Sequence, residues 1–223
     1  MASWIVHLRI ADKLLERISN LSLTEFVVGN IAPDSGVPNK DWSVFTPSNE
    51  VSHFKTTNVD GLKDIHLDKY VEQFFNVEQR KKYNSKQFSF YLGYLTHLLT
   101  DIMWSDVIVR PSIDKFKYLY DKNKIEWIWT LKKDWYDLDF LYIKKQANFR
   151  AFTTYKNAVG FHNDYMNFFS DDAFENRREY IISFYSSERD NLEREYTYLK
   201  EEEMDRFVDE SAENISQILK TMF

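Results

Sequence analysis

Apolar residues recur every three to four positions along most of the chain, a spacing typical of amphipathic helices. The pattern predicts helices over residues 3–19, 22–29, 61–82, 86–105, 174–200 and 203–222, with one or two more in 112–132. Only 5 glycines and 4 prolines occur among 223 residues, which leaves little material for a turn-rich β protein. We therefore expect an all-α fold, arranged as one multi-helix domain over residues 1–223.

The two C-terminal helices carry complementary apolar stripes. In the last helix the apolar positions alternate four and three residues apart, and the helix predicted over 174–200 has a facing stripe. An intramolecular helical hairpin explains both stripes. A homodimer that pairs the same seam between two copies is the alternative.

The longest segment without helical periodicity is the loop predicted over 30–58, between a helix that ends at Gly29-Asn30 and the helix over 61–82. It holds three of the four prolines, and loops of this length inside a compact domain are usually functional or disordered. Asp34 lies near one end of the loop and His53 near the other.

The helix over 86–105 is apolar on nearly all sides, which indicates that it is buried. His97 and Asp101 are four residues apart in it, so their side chains share one face. A buried carboxylate needs a compensating partner, and a divalent cation would satisfy both groups at once. The alternative is a plain hydrogen bond between His97 and Asp101 in the core.

Other histidines and carboxylates in apolar or turn surroundings extend this candidate site. The predicted metal ligands are His7, Asp34, His53, His97 and Asp101. For His7 the alternative is a hydrogen-bonded core histidine, and for Asp34 it is an Asx turn. The roles left open are those of His66, Asp137, Asp139 and His162, for which a solvated face, a helix cap or a loop position is the simpler interpretation.

Composition narrows the chemistry. There is no cysteine, so disulfides and thiolate metal ligands are excluded. The net charge of −6 disfavours nucleic acid as a partner. The first residues do not read as a signal peptide, and no apolar run approaches a membrane span of about 18 residues, so we expect a cytoplasmic protein without a transmembrane segment.

The motifs of several enzyme classes are missing from the sequence, including the Gly-rich phosphate loop, the GxSxG elbow and HExxH. Metal chemistry with nitrogen and oxygen ligands remains, and zinc, manganese or iron would suit this set. Hydrolysis of a phosphate ester by metal-activated water is its natural use. The alternatives are an HD-type phosphohydrolase, although no adjacent His-Asp dipeptide occurs, and a helical interaction protein with a structural or vestigial metal site.

Four short motifs carry a family resemblance. They are HLRIA at His7, APD at Asp34, HF at His53 and GYLTHLLTD at His97 and Asp101. In this order, within the first 105 residues, they resemble the bacterial zinc-dependent phospholipase C family, which shares its fold with single-strand-specific zinc nucleases. Residues 106–223 match that family only in being helical.

The resemblance implies a mostly helical domain with metal ions in a cleft. It implies that one Zn²⁺ ion is bound by Asp34, His53, His97 and Asp101. Asp101 would also bridge to a second ion held by His7, and Asp34 would orient or deprotonate the attacking water. The implied substrate is a phosphate-ester small molecule or a lipid head group.

The sequence also departs from the family pattern. Family enzymes use the amino group and carbonyl of an N-terminal Trp as ligands, whereas Trp4 is internal here, and the role of the amino terminus stays open. No residues match the His-x-x-x-Glu or His-x-x-x-Asp pair that binds a third ion in the family. We therefore expect one or two ions.

Overall fold

The computed structural model describes residues 1–41, 43–57 and 63–222. Over these residues the helices are α1 (Trp4–Leu15), α2 (Leu23–Ile31), α3 (Asn49–Ser52), α4 (Leu67–Tyr70), α5 (Val77–Arg80), α6 (Ser85–Trp104), α7 (Arg110–Lys115), α8 (Lys117–Lys122), α9 (Lys124–Lys145), α10 (Arg150–Asn157), α11 (Ala173–Tyr185) and α12 (Glu201–Met222). The strands are β1 (Val37–Pro38), β2 (Phe45–Thr46), β3 (Lys55–Thr57) and β4 (Lys63–Ile65). The predicted all-α fold is confirmed, because the strands form only two small antiparallel pairs, β1 with β2 and β3 with β4.

Helix α6 is the centre of the fold and packs closely on α2. Asn84 begins α6 with a capping box, in which its side chain and that of Gln87 each accept a backbone N–H. A Cβ atom on Gly93 would lie 2.1 Å from the carbonyl oxygen of Phe26, and one on Gly29 would lie 2.2 Å from that of Phe90. The two glycines therefore allow the backbones of α2 and α6 to touch.

Helices α1 and α12 run side by side in the same direction. Three ion pairs join them, namely Arg9–Asp205 at 2.5 Å, Lys13–Asp209 at 2.6 Å and Arg17–Glu213 at 2.8 Å. The steps are four residues each, so the pairs form a ladder along one face of α12 and along α1 and the turn after it, which contains Arg17. Beneath the ladder, α12 buries Val208, Ala212 and Ile215. We call these three ion pairs the α1–α12 ladder.

The predicted C-terminal hairpin is wrong in two respects: its first helix is shorter than predicted, and its second helix packs on other helices. Helix α11 ends at Tyr185, and residues 186–200 follow as an irregular segment. The side chain of Arg194 pairs with Asp134 at 2.6 Å and with Asp137 at 2.8 Å, and the backbone N–H of Tyr198 donates to Asp134. These contacts hold the segment against α9, while α12 packs mainly on α1 and α6.

The helix predicted over 61–82 is also wrong in part. Within its described residues, 63–82, the chain forms β4, then α4, a wider helical turn over Val71–Phe75 and α5. Likewise, the loop predicted over 30–58 contains a 3₁₀ turn at Ala32–Asp34, the β1–β2 pair, α3 and β3. In the part of the chain that the structure describes, no helix is both long enough and apolar enough to cross a bilayer.

Candidate metal centre

The five predicted metal ligands come together at one place in the fold. His7 projects from α1, His97 and Asp101 from α6, Asp34 from the 3₁₀ turn after α2, and His53 directly follows α3. We call them the donor cluster. All are buried except Asp34, which is half-buried. Ligand atoms lie within 4.8 Å of one another in each of two groups, His7–His97–Asp101 and Asp34–His53–His97.

The distances show how the two groups meet. His53 Nε2 lies 3.2 Å from Asp34 Oδ1 and 3.2 Å from His97 Nε2. Asp101 Oδ2 lies 3.8 Å from the Nε2 atoms of both His53 and His97. The other oxygen, Asp101 Oδ1, lies 3.5 Å from His7 Nε2. The two oxygens of this one carboxylate thus face different halves of the cluster.

Two neighbouring groups orient the histidine rings. His97 Nδ1 lies 2.8 Å from the carbonyl oxygen of Asn30, which can only accept, so Nδ1 carries the proton and Nε2 presents its lone pair. His53 Nδ1 lies 2.9 Å from the hydroxyl of Ser52. The rings of His7 and His97 are stacked with centroids 3.8 Å apart. Such outer contacts fix the ring orientation that a metal ligand needs.

The ionisation states of His53, His97, Asp34 and Asp101 suit metal binding. Burial lowers the pKa of both His53 and His97, so both rings are neutral at neutral pH. Burial is the largest single effect on Asp34 and disfavours its carboxylate, but the hydrogen bond with His53 and the electrostatic interactions with the cluster histidines together hold the pKa below its usual range. Burial also disfavours the carboxylate of Asp101, but the charges of the Met1 amino group and Lys55, together with the interactions with His7 and His97, keep its pKa well below normal. Metal binding therefore requires little proton release.

A cation would also supply a partner for His7, whose ring lacks hydrogen bonds among the described residues. Both ring nitrogens of His7 are buried without a hydrogen-bond partner among the described residues. A buried polar atom in that state costs about 1–3 kcal/mol, and a divalent ion beside Nε2 would remove part of the cost. Neutral imidazoles and carboxylates together suit zinc.

Two cavities open beside the cluster. The larger, about 660 Å³, is lined by Asp101 together with Lys55, Arg110 and Lys132. The smaller, about 240 Å³, is lined by Asp34 and by the aromatic side chains Trp4, Phe45, Trp129, Trp135, Tyr136 and Tyr180. A ligand in either cavity would therefore have access to a carboxylate of the cluster.

Comparison with known protein families decides what kind of helical protein this is. A family described as zinc dependent phospholipase C matches residues 6–219 of the 223. The chain belongs to this family. No curated protein matches the chain, and no solved structure does.

Membership in the zinc-dependent phospholipase C family confirms the resemblance inferred from four motifs in the first 105 residues. It also extends the match through the helices of the second half. The family indicates a zinc-dependent hydrolase of the phospholipase C type, and the grouped His and Asp side chains of this chain agree with bound metal.

The residues whose roles were left open lie outside the donor cluster. His66 lies 2.6 Å from the hydroxyl of Thr56, and the exposed His162 faces Asp164 at 3.3 Å. Asp137 pairs with Arg194, and Asp139 accepts hydrogen bonds from Ser3 and Tyr185. Neither Asp137 nor Asp139 caps a helix end, because both lie inside α9.

Sequence reasoning missed four residues that surround the cluster: Asn30, Ser52, Lys55 and Lys132. Lys55 Nζ lies 3.5 Å from Asp101 Oδ2. The only sequence feature that could have placed Lys55 near the cluster is its position two residues after His53. Asn30 contributes a backbone carbonyl, which no side-chain pattern reveals. Lys132 follows Asp101 by 31 positions in sequence and reaches the site only through the packing of α9.

Proposed function

We propose that this protein is a metal-dependent hydrolase of phosphate esters, with one or two Zn²⁺ ions held by the donor cluster. The observation that carries the proposal is the convergence of neutral imidazoles and ionised carboxylates beside two open cavities. Mn²⁺ or Fe²⁺ would also suit these ligands. The substrate class is a phosphate-ester small molecule or a lipid head group.

The ligand roles follow from the distances. His53, His97 and Asp34 would hold one ion, with Asp101 Oδ2 facing the same group. Asp101 Oδ1 points toward His7 and would bridge to a second ion there. Since His97 offers only one free nitrogen, it serves one ion, and we assign it to the group that contains Asp34.

Asp34 is the proposed catalytic residue. Bound zinc supplies a Lewis acid that polarises a phosphoryl oxygen and makes water more acidic. Asp34 is ionised at neutral pH, is half-buried and lines the smaller cavity, so its carboxylate can orient the attacking water and accept its proton. Its Oδ1 atom contacts His53, which leaves the second oxygen for that task.

The first test is metal content together with turnover. Purified wild type should contain about one or two equivalents of zinc and hydrolyse bis-p-nitrophenyl phosphate, because the cluster is formed and ionised for metal binding. Asp101→Asn should lower the metal content, and His97→Ala should reduce turnover to background. Elemental analysis measures the metal content, and release of p-nitrophenol measures the turnover.

The matched control is His162→Ala, which removes an exposed histidine outside the cluster and should leave both readouts unchanged. Equal turnover in wild type and His97→Ala would contradict the proposal. Bound metal without any turnover would instead support the alternative of an interaction protein with a structural metal site.

A further inference from the structure

The larger cavity beside the donor cluster is lined by charged groups of both signs. Among its described lining residues, three have cationic side chains, Lys55, Arg110 and Lys132, and the amino group of Met1 lines it as well. Lys55 faces Asp101 at 3.5 Å. Arg110 lies 3.3 Å from a carboxylate oxygen of Asp64 and 3.2 Å from one of Asp106. Two of the three cations are therefore neutralised by the protein itself.

Lys132 is the exception. No described carboxylate forms an ion pair with its ammonium group, whose Nζ atom lies 4.9 Å from the centroid of the Trp129 ring. Burial lowers the pKa of Lys132, and the charges of Asp34 and Asp101 only partly oppose this. A half-buried ammonium group without a counter-ion costs free energy that an anion would recover.

The position of Lys132 points to where that anion would lie. Lys132 lines both cavities, as do Met1, Asn49 and Trp135, so it stands where the two cavities adjoin. One cavity is lined by Asp101 and the other by Asp34, the two carboxylates of the donor cluster. An anion beside the cluster is therefore within the field of the Lys132 ammonium.

We propose that Lys132 binds the phosphate group of the substrate, donating a hydrogen bond from its ammonium to a non-bridging phosphate oxygen. This inference rests on the proposed function, because it places the phosphate beside the metal centre. Charge-assisted hydrogen bonds of this kind are about twice as strong as neutral ones.

Binding of inorganic phosphate to the zinc-loaded protein tests the proposal. Calorimetric titration should give an affinity at least about tenfold weaker for Lys132→Met than for wild type, the loss expected for one hydrogen bond between charged groups. Lys132→Arg should restore part of the affinity. Zinc content should be the same in all variants, since Lys132 is not a ligand.

The matched control is Lys133→Met, which removes the neighbouring lysine of α9, an exposed side chain, and should leave phosphate affinity unchanged. Wild-type affinity in Lys132→Met, at equal zinc content, would overturn the assignment. If wild type hydrolyses the diester but Lys132→Met binds phosphate normally, only the role of Lys132 fails. If zinc-loaded wild type neither binds phosphate nor turns over, the proposed function fails with it.

A second measurement needs no substitution. Brief acetylation of the zinc-loaded wild type, followed by peptide mass spectrometry, reports the reactivity of each lysine. Phosphate should protect Lys132 several-fold and leave Lys133 unprotected, because only the former faces the cavities. Equal acetylation of Lys132 with and without saturating phosphate would contradict the proposal even if every variant lost stability.

Discussion

At the scale of single residues, the three histidines of the donor cluster are held in different ways. A backbone carbonyl fixes His97 and a hydroxyl adjoins His53, whereas His7 is positioned by ring stacking and by the surrounding core. The side chains themselves could be predicted from sequence because titratable groups stood in apolar surroundings. The atoms that orient them could not, since Asn30 is 67 positions from His97 and acts through its main chain.

Another buried carboxylate, Asp139, should make stability depend on pH. Burial raises its pKa to about 7, although hydrogen bonds from Tyr185 and Ser3 and the charge of Arg9 act in the opposite direction. Between roughly pH 4 and pH 7 the folded protein therefore retains a proton that the unfolded chain has lost. From this group alone, the free energy of unfolding falls by up to about 1.4 kcal/mol for each unit by which the pH rises through that window.

Asp139→Asn should consequently flatten the pH dependence of the free energy of unfolding between about pH 4 and pH 7. Urea denaturation at several pH values measures it. Asp114→Asn, which neutralises an exposed carboxylate, is the control and should retain the wild-type slope. An unchanged slope in Asp139→Asn would show that Asp139 is ionised in the folded protein throughout this range.

At the scale of secondary-structure elements, α6 was predictable and its neighbours were less so. The apolar pattern and the polar start at Asn84 mark α6 within one residue of the predicted bounds. The sequence predicts that a helix ends at Gly29-Asn30, but α2 continues to Ile31, and Gly29 faces the backbone of α6. Local propensity cannot distinguish a glycine that ends a helix from one that allows close packing.

The contact between α2 and α6 predicts a strong effect for Gly93→Ala. The added methyl group would overlap the Phe26 carbonyl and lie 2.8 Å from the Asn30 nitrogen, and backbone atoms cannot move aside without separating the helices. We expect a destabilisation of about 3 kcal/mol. Zinc content should fall as well, because Asn30 orients His97.

Chemical denaturation and elemental analysis measure these two effects. Glu210→Ala, at an exposed position of α12, serves as the control and should change stability by less than about 0.5 kcal/mol. Wild-type stability in Gly93→Ala would mean that α2 and α6 are farther apart than described.

At the scale of the whole molecule, all five donors come from the first half of the chain, while the second half encloses them. That division explains why the motifs revealed the donors but not the cavity-lining residues of α9, such as Lys132. Arg194 contacts Asp134 and Asp137 across 57–60 positions, so no local pattern marks residues 186–200 as irregular. The partner of α12 could not be predicted either. Its apolar stripe matches one in the helix predicted over 174–200, but α12 packs mainly on α1 and α6.

Because the donors come from separate elements, metal should stabilise the entire fold. Zinc present at a hundredfold excess over its dissociation constant adds about 2.7 kcal/mol, so chelation should lower Tm by roughly 5–10 °C. Differential scanning fluorimetry with and without a chelator measures the shift. Asp101→Asn should respond much less, and an equal shift in both proteins would place the stabilising metal elsewhere.

The α1–α12 ladder links the C-terminal helix to the donor cluster, to which that helix contributes no side chain. Helix α1 carries both His7 and the first cation of the ladder, Arg9, so a change that loosens α12 also loosens one wall of the proposed metal site. A single protease cut within residues 186–200 would leave every donor in the amino-terminal fragment. It would nevertheless destabilise the site, because the α1–α12 ladder would then join two separate fragments that could dissociate.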